Sequence, residues 1–145
     1  MNRTLVIAGL GAALAALLGC EPPQKSAAGF HIPDGDPHRG QAAFVALKCH
    51  SCHEVQGVPL PAPVAQPPLP VALGGRSFRV RTDGELVAAI LEPSRGYAWG
   101  RRDDCTSGRL SRMGDFSEAM TPRDLTDIVA FLQANTQVQP VNHVH

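Results

Sequence analysis

The sequence has few aromatic residues: five Phe, one Trp and one Tyr among 145 residues, or 5%. At this length the chain suits one domain. A core built from so few rings is thin and needs apolar area from another source. Net charge is also missing, because 13 Lys and Arg balance 13 Asp and Glu. Nucleic-acid binding depends on clustered cations that neutralise phosphate, so this balance argues against such a partner. Long apolar runs are missing too. Leu5 to Leu18 spans about 14 residues, against about 20 for a bilayer-crossing helix. Cysteine is scarce, at positions 20, 49, 52 and 105.

The short apolar run follows Arg3 and ends in Leu17-Leu18-Gly19-Cys20. Its length and positive start suit the core of a secretory signal peptide. The ending resembles the lipobox of bacterial lipoproteins. That resemblance implies cleavage after the small Gly19, so residues 1–19 are a signal peptide and Cys20 is the lipidated first residue of the mature chain. Attachment by several acyl chains holds a protein stably at a membrane. Glu21, where an Asp would be the inner-membrane cue, leans by the same resemblance towards an outer membrane. Residues 20–35 contain Pro22, Pro23, Pro33 and several small residues, and read as a tether.

What the chain does contain is Cys49-His50-Ser51-Cys52-His53, a C-x-x-C-H run found once. This is the attachment pattern of a c-type haem. Two thiols add to the vinyl groups, and the adjoining imidazole is placed under the iron. One run predicts one haem, and a buried porphyrin supplies the apolar area that the sequence lacks. A thioredoxin-like redox pair would need a βαβ setting, and a zinc site would need further ligands at metal spacing. With Cys20 assigned to lipid and Cys49 and Cys52 to haem, Cys105 is left over. It is either a free thiol or half of an intermolecular disulfide.

Around the motif the pattern is helical. Asp36-Pro37 is a helix start, with Gly40, Phe44 and Leu47 on one face, and the helix runs into Cys49. Six prolines between Pro59 and Pro70 exclude regular helix, and Gly74-Gly75 marks a turn. Thr82-Asp83-Gly84-Glu85 is a capping box ahead of Leu86, Val87, Ile90 and Leu91, and Pro93 stops this second helix. Residues 94–112 read as surface loop. Thr121-Pro122-Arg123-Asp124 starts the last helix, with Leu125, Ile128, Val129 and Leu132 on its apolar face and an end near Asn135. Residues 136–145 show no periodicity and read as a mobile tail. No run reads as a strand.

An iron held by one imidazole has a second axial position, and its occupant separates electron transfer from ligand binding or catalysis. Met113 and Met120 are the thioethers of the mature domain. Met113 lies in a loop that can fold over a haem face. Met120 precedes the cap of the last helix and can equally pack onto it. The other ring nitrogen of His53 needs a backbone acceptor, for which Pro67 and Pro68 are candidates. His50, inside the motif, is expected to point outward. His31, in the tether, and the terminal pair His143 and His145 read as solvated. Propionates call for donors. The candidates are Arg76, Arg79, Arg81, Tyr97, Trp99, Arg101, Arg102 and Arg112, with the Trp99 indole also able to cover the haem edge.

With these residues in view, positions 36–135 resemble a class I cytochrome c domain. Gly40-x-x-x-Phe44 resembles the first helix of that family, and Pro68-Leu69 with Gly74-Gly75-Arg76 resembles its post-haem loop. Residues 85–94 resemble the middle helix, Met113-Gly114-Asp115-Phe116 the Met-Pro-x-Phe loop, and residues 125–132 the closing helix. The resemblance implies a small all-α fold with three main helices around one haem c, and His53 and Met113 as the axial pair. It implies a one-electron carrier rather than an enzyme, working with redox partner proteins or as a subunit of an oxidoreductase complex. With the lipid signal, this places the domain on the periplasmic side of a bacterial membrane. The alternative is a haem-based sensor or small haem enzyme with an open distal position. One departure stands out: Gly114 occupies the place of the family's proline, which implies a looser methionine loop.

Overall fold

Asp36 caps the first helix, α1 (Pro37–Ala46), by accepting from the backbone N–H groups of His38 and Arg39 at 2.8 and 3.1 Å. This supplies partners to donors that helix geometry leaves open. The computed structural model describes residues 31–62, 71–95 and 105–139. In it α1 stops at Ala46, short of the predicted run into Cys49. Lys48 takes the left-handed conformation (φ 60°), and a 3₁₀ turn follows at Cys49–Ser51. The second helix, α2 (Asp83–Leu91), carries the expected capping box between Thr82 and Glu85 and ends ahead of Pro93. The third, α3 (Pro122–Ala134), has a capping box of the same form, in which Thr121 and Asp124 bond reciprocally.

The absence of strands is corrected. Among the described residues six short strands pair two by two. β1 (His53–Val55) runs parallel to β2 (Val71–Leu73), with His53 opposite Val71. β3 (Gly75–Ser77) runs parallel to β6 (Thr136–Val138). β4 (Thr106–Ser107) and β5 (Leu110–Ser111) form an antiparallel hairpin around Gly108, at φ 65°. Segments of two or three residues are too short to show a period of two, so the pattern left no trace in the sequence.

Two boundaries move with these strands. The predicted mobile tail begins as β6, which bonds to β3 and continues through a Gln139 N–H to Ser77 carbonyl bond of 2.8 Å. Residues 140–145 lie outside the described residues. The predicted surface loop at 94–112 contains the β4–β5 hairpin, in which Thr106 is buried. At the other end, a Cβ on Gly35 would lie 2.3 Å from the Thr126 carbonyl oxygen, so packing against α3 begins one residue ahead of the predicted start.

The core is small. Phe44, Val55, Ile128, Phe131 and Leu132 form its buried cluster, with the Phe44 and Phe131 ring centroids 5.6 Å apart and tilted by 60°. The helices α1 and α3 cross at Gly40, where an added Cβ would stand 1.9 Å from the Asp127 carbonyl oxygen. Beside this crossing the Asp127 carboxylate, its side chain 4% exposed, accepts from the Asp36 backbone N–H at 2.7 Å and from Arg39 Nε at 2.8 Å. Arg39 also reaches Asp36, at 3.1 Å.

The Arg39 hydrogen bond, followed by that from the Asp36 backbone, holds the Asp127 carboxyl below its ordinary 3.8. A carboxyl with a depressed folded pKa stabilises the fold above its unfolded value and loses that contribution as pH falls through the folded value. Asp127→Asn is therefore expected to lower the thermal midpoint at pH 7, and to show a shallower further loss than the parent below about pH 4. Melting curves at pH 3, 5 and 7 measure both; parallel pH profiles would refute the clamp.

Candidate functional site

The C-x-x-C-H run is held by the turn that ends α1. Ser51 N–H bonds to the Lys48 carbonyl at 3.0 Å and Cys52 N–H to that of Cys49 at 3.1 Å. This tight turn leaves Cys49 half-buried against the core and Cys52 exposed. Burial pushes the Cys49 thiol above its usual range. Among the described residues Cys49, Cys52 and Cys105 form no disulfide with one another.

The same turn overturns the outward placement of His50. The residue is 8% exposed, and its buried Nδ1 meets no hydrogen-bond partner among the described residues. Left-handed Lys48 reverses the chain just ahead of the motif. The 3₁₀ turn then carries His50 inward and Cys52 outward, which residue type alone does not indicate.

His53 opens β1, and its Nδ1 lies 3.3 Å from the Val71 carbonyl oxygen. A carbonyl only accepts, so Nδ1 carries the proton and Nε2 is left with its lone pair for a metal. Burial pushes the His53 imidazole below its ordinary 6.5, and the Val71 bond opposes this less strongly. Both the tautomer and the neutral state are those of a ligand histidine. The acceptor expected at Pro67 or Pro68 is thus Val71. The parallel register that sets His53 against Val71 makes the difference, and it also carries the Val71 N–H to the Cys52 carbonyl at 2.9 Å. Val71-Ala72-Leu73, a short apolar run directly before Gly74-Gly75, was the available signal. Pro67 and Pro68 lie outside the described residues.

Half-buried Leu47, Val58, Leu60, Leu73, Leu86 and Ile90 pack around the core to which Cys49 belongs. Two thiols, a neutral imidazole with a fixed tautomer and this apolar surround fit a covalently held haem, with Cys49, Cys52 and His53 as its attachment points. Met120 also packs onto the core, and Met113 is half-buried two residues past β5. The Met113 N–H bonds to Ser111 Oγ at 3.1 Å.

The propionate candidates separate. Arg76 is exposed on β3. Arg79 is paired with Glu85, and Arg112 Nε donates to the Thr106 carbonyl at 2.9 Å, so both are engaged by the protein itself. Arg81 is exposed. Cys20, Tyr97, Trp99, Arg101 and Arg102 lie outside the described residues. Among the described residues no helix is long and apolar enough to cross a membrane.

Replacing both Cys49 and Cys52 by Ser is expected to abolish covalent haem retention, read by haem staining after denaturing electrophoresis. Either single Ser variant should keep one thioether and a weaker stain. Undiminished staining of the double variant would place the attachment elsewhere.

The family model for cytochrome c matches residues 37–136, which spans α1, the C-x-x-C-H turn, α2 and α3. No curated protein and no solved structure matches the chain. With the fold and the C-x-x-C-H site in agreement over this length, the chain belongs to the cytochrome c family, with a class I fold and haem c attached through Cys49 and Cys52.

Proposed function

We propose that this cytochrome c is a one-electron carrier tethered by lipid on Cys20 to the periplasmic side of a bacterial membrane, with iron held between His53 and Met113. The observation that carries the reading is the His53 Nδ1–Val71 bond beside the paired thiols. It presets a strong, neutral proximal ligand before any distal partner is considered.

Bound haem supplies an Fe(III)/Fe(II) couple that exchanges one electron at a time. The residues of the chain govern how easily that exchange happens. The Val71 carbonyl keeps the His53 ring in one orientation in both oxidation states. Leu73, Leu86 and Ile90 exclude water, which limits the reorganisation that accompanies a change of charge. The Met113 thioether favours the ferrous state and raises the potential. Arg76 on β3 and Trp99 serve the propionates. A single one-electron group suits a carrier or an electron-transfer subunit that passes electrons between redox proteins.

Met113→Ala should remove the far-red thioether–iron absorption band of the ferric protein and let carbon monoxide bind the reduced form. Met120→Ala should keep the band and cost about 2 kcal/mol of stability through lost core packing. Survival of the band in Met113→Ala would refute the assignment. Ready carbon monoxide binding by the unaltered reduced protein would instead favour the sensor or enzyme reading. For the tether, Cys20→Ser is expected to move the protein from the membrane to the soluble fraction and to abolish incorporation of labelled fatty acid. Continued membrane association would refute lipid anchorage at that residue.

A further inference from the structure

Gly114 lacks the conformational lock that a proline would place directly after Met113. A Cβ at position 114 would meet nothing within 4 Å, so glycine is not demanded there by crowding. If nothing else held the loop, the Met113 sulfur would be supplied by a freely hinged segment and would compete poorly for iron.

The loop is held from its N-terminal side. The β4–β5 hairpin ends one residue ahead of Arg112, whose backbone N–H bonds to the Cys105 carbonyl at 2.8 Å. The Arg112 guanidinium turns back on the same hairpin, with Nε donating to the carbonyl of buried Thr106 at 2.9 Å. Ser111 Oγ accepts the Met113 N–H at 3.1 Å, and the Ser111 N–H donates to Ser94 Oγ at 3.0 Å. Ser94 lies just past the end of α2, so this bond ties the hairpin to a second element. On the far side, Asp115 Oδ1 accepts from the backbone N–H and the hydroxyl of Ser117 at 2.9 and 2.6 Å. Gly114 thus stands between the tied hairpin and a turn closed by its own local hydrogen bonds.

We propose that Arg112 and Ser111 are positioning residues for Met113, supplying through the hairpin the stiffness that the family obtains from proline. The proposal rests on Met113 being the distal ligand. It moves Arg112 out of the set of propionate partners and gives the β4–β5 hairpin a task in the site. Arg112 acts through a charge-assisted bond to a backbone acceptor on a buried residue, the stronger of the two restraints. Ser111 acts through a neutral bond directly on the methionine amide.

The test is displacement of the thioether by imidazole in the ferric holoprotein, followed by loss of the far-red band. Weakening the restraint destabilises the Met113-bound form relative to the imidazole-bound form. Arg112→Ala is expected to lower the half-saturating imidazole concentration about tenfold and Ser111→Ala about threefold. Leu110→Ala, which trims a residue 67% exposed at the hairpin and touches none of these bonds, should titrate like the parent. Parental titration of both Arg112→Ala and Ser111→Ala overturns the proposal. So does an equal shift in Leu110→Ala, which would mark a general loosening of the hairpin. If Arg112→Ala fails to load haem, Ser111→Ala decides alone. Met113→Ala separates the two levels. Retention of the band there refutes the ligand assignment itself, whereas loss of the band with parental Arg112→Ala and Ser111→Ala titrations refutes only the positioning role.

Discussion

Where α1 passes α3 there is no room for a side chain. The Asp127 carbonyl oxygen occupies the space a Cβ at position 40 would need. This approach brings Phe44 onto Phe131 and buries both rings almost completely. Asp127 then secures the crossing with its carboxylate, which takes the Asp36 N–H and the Arg39 guanidinium. Burying one such carboxylate is favourable only because its oxygens are paired. The N-terminal end of α1 is thereby fixed on α3, and its other end delivers the Cys49–His53 turn to a defined place.

From that turn the site is built by backbone geometry more than by side-chain chemistry. Lys48 reverses the chain, and the 3₁₀ turn partitions Cys49 inward and Cys52 outward. The three-residue parallel pairing of β1 with β2 sets an acceptor against His53 Nδ1. The register begins where the chain returns at Val71. Desolvation around His53 lowers its affinity for a proton, and this favours the neutral imidazole over the charged one.

The helices were legible because their signals are local. Asp36, Thr82 and Thr121 each stand next to the backbone groups they cap, and Pro93 acts on its immediate neighbours. The attachment residues Cys49, Cys52 and His53 were legible for the same reason, since five consecutive positions carry the chemistry. The paired strands were not. Thr136–Val138 becomes β6 only because β3 arrives from a distant part of the chain and offers a ladder. The inward turn of His50 and the choice of Val71 over Pro68 likewise depend on register and on a left-handed residue, and neither is written in residue type. Arg112 looked like other arginines until the hairpin brought the Thr106 carbonyl to its Nε.

The sequence by itself determined the cofactor class and the helical frame: a C-x-x-C-H run, three capped apolar segments, and a glycine–phenylalanine spacing able to admit a close crossing. These follow from contacts between residues a few positions apart, whose energetics hardly depend on the rest of the chain. Tertiary structure alone decided which carbonyl orients His53, which side of the motif turn is buried, that Thr136–Val138 pairs as a strand, and what holds the loop before Met113. Each of these is a pairing between segments remote in sequence. The backbone can make such a pairing with nearly any residue type, so the outcome is set by where the packed helices leave the partners.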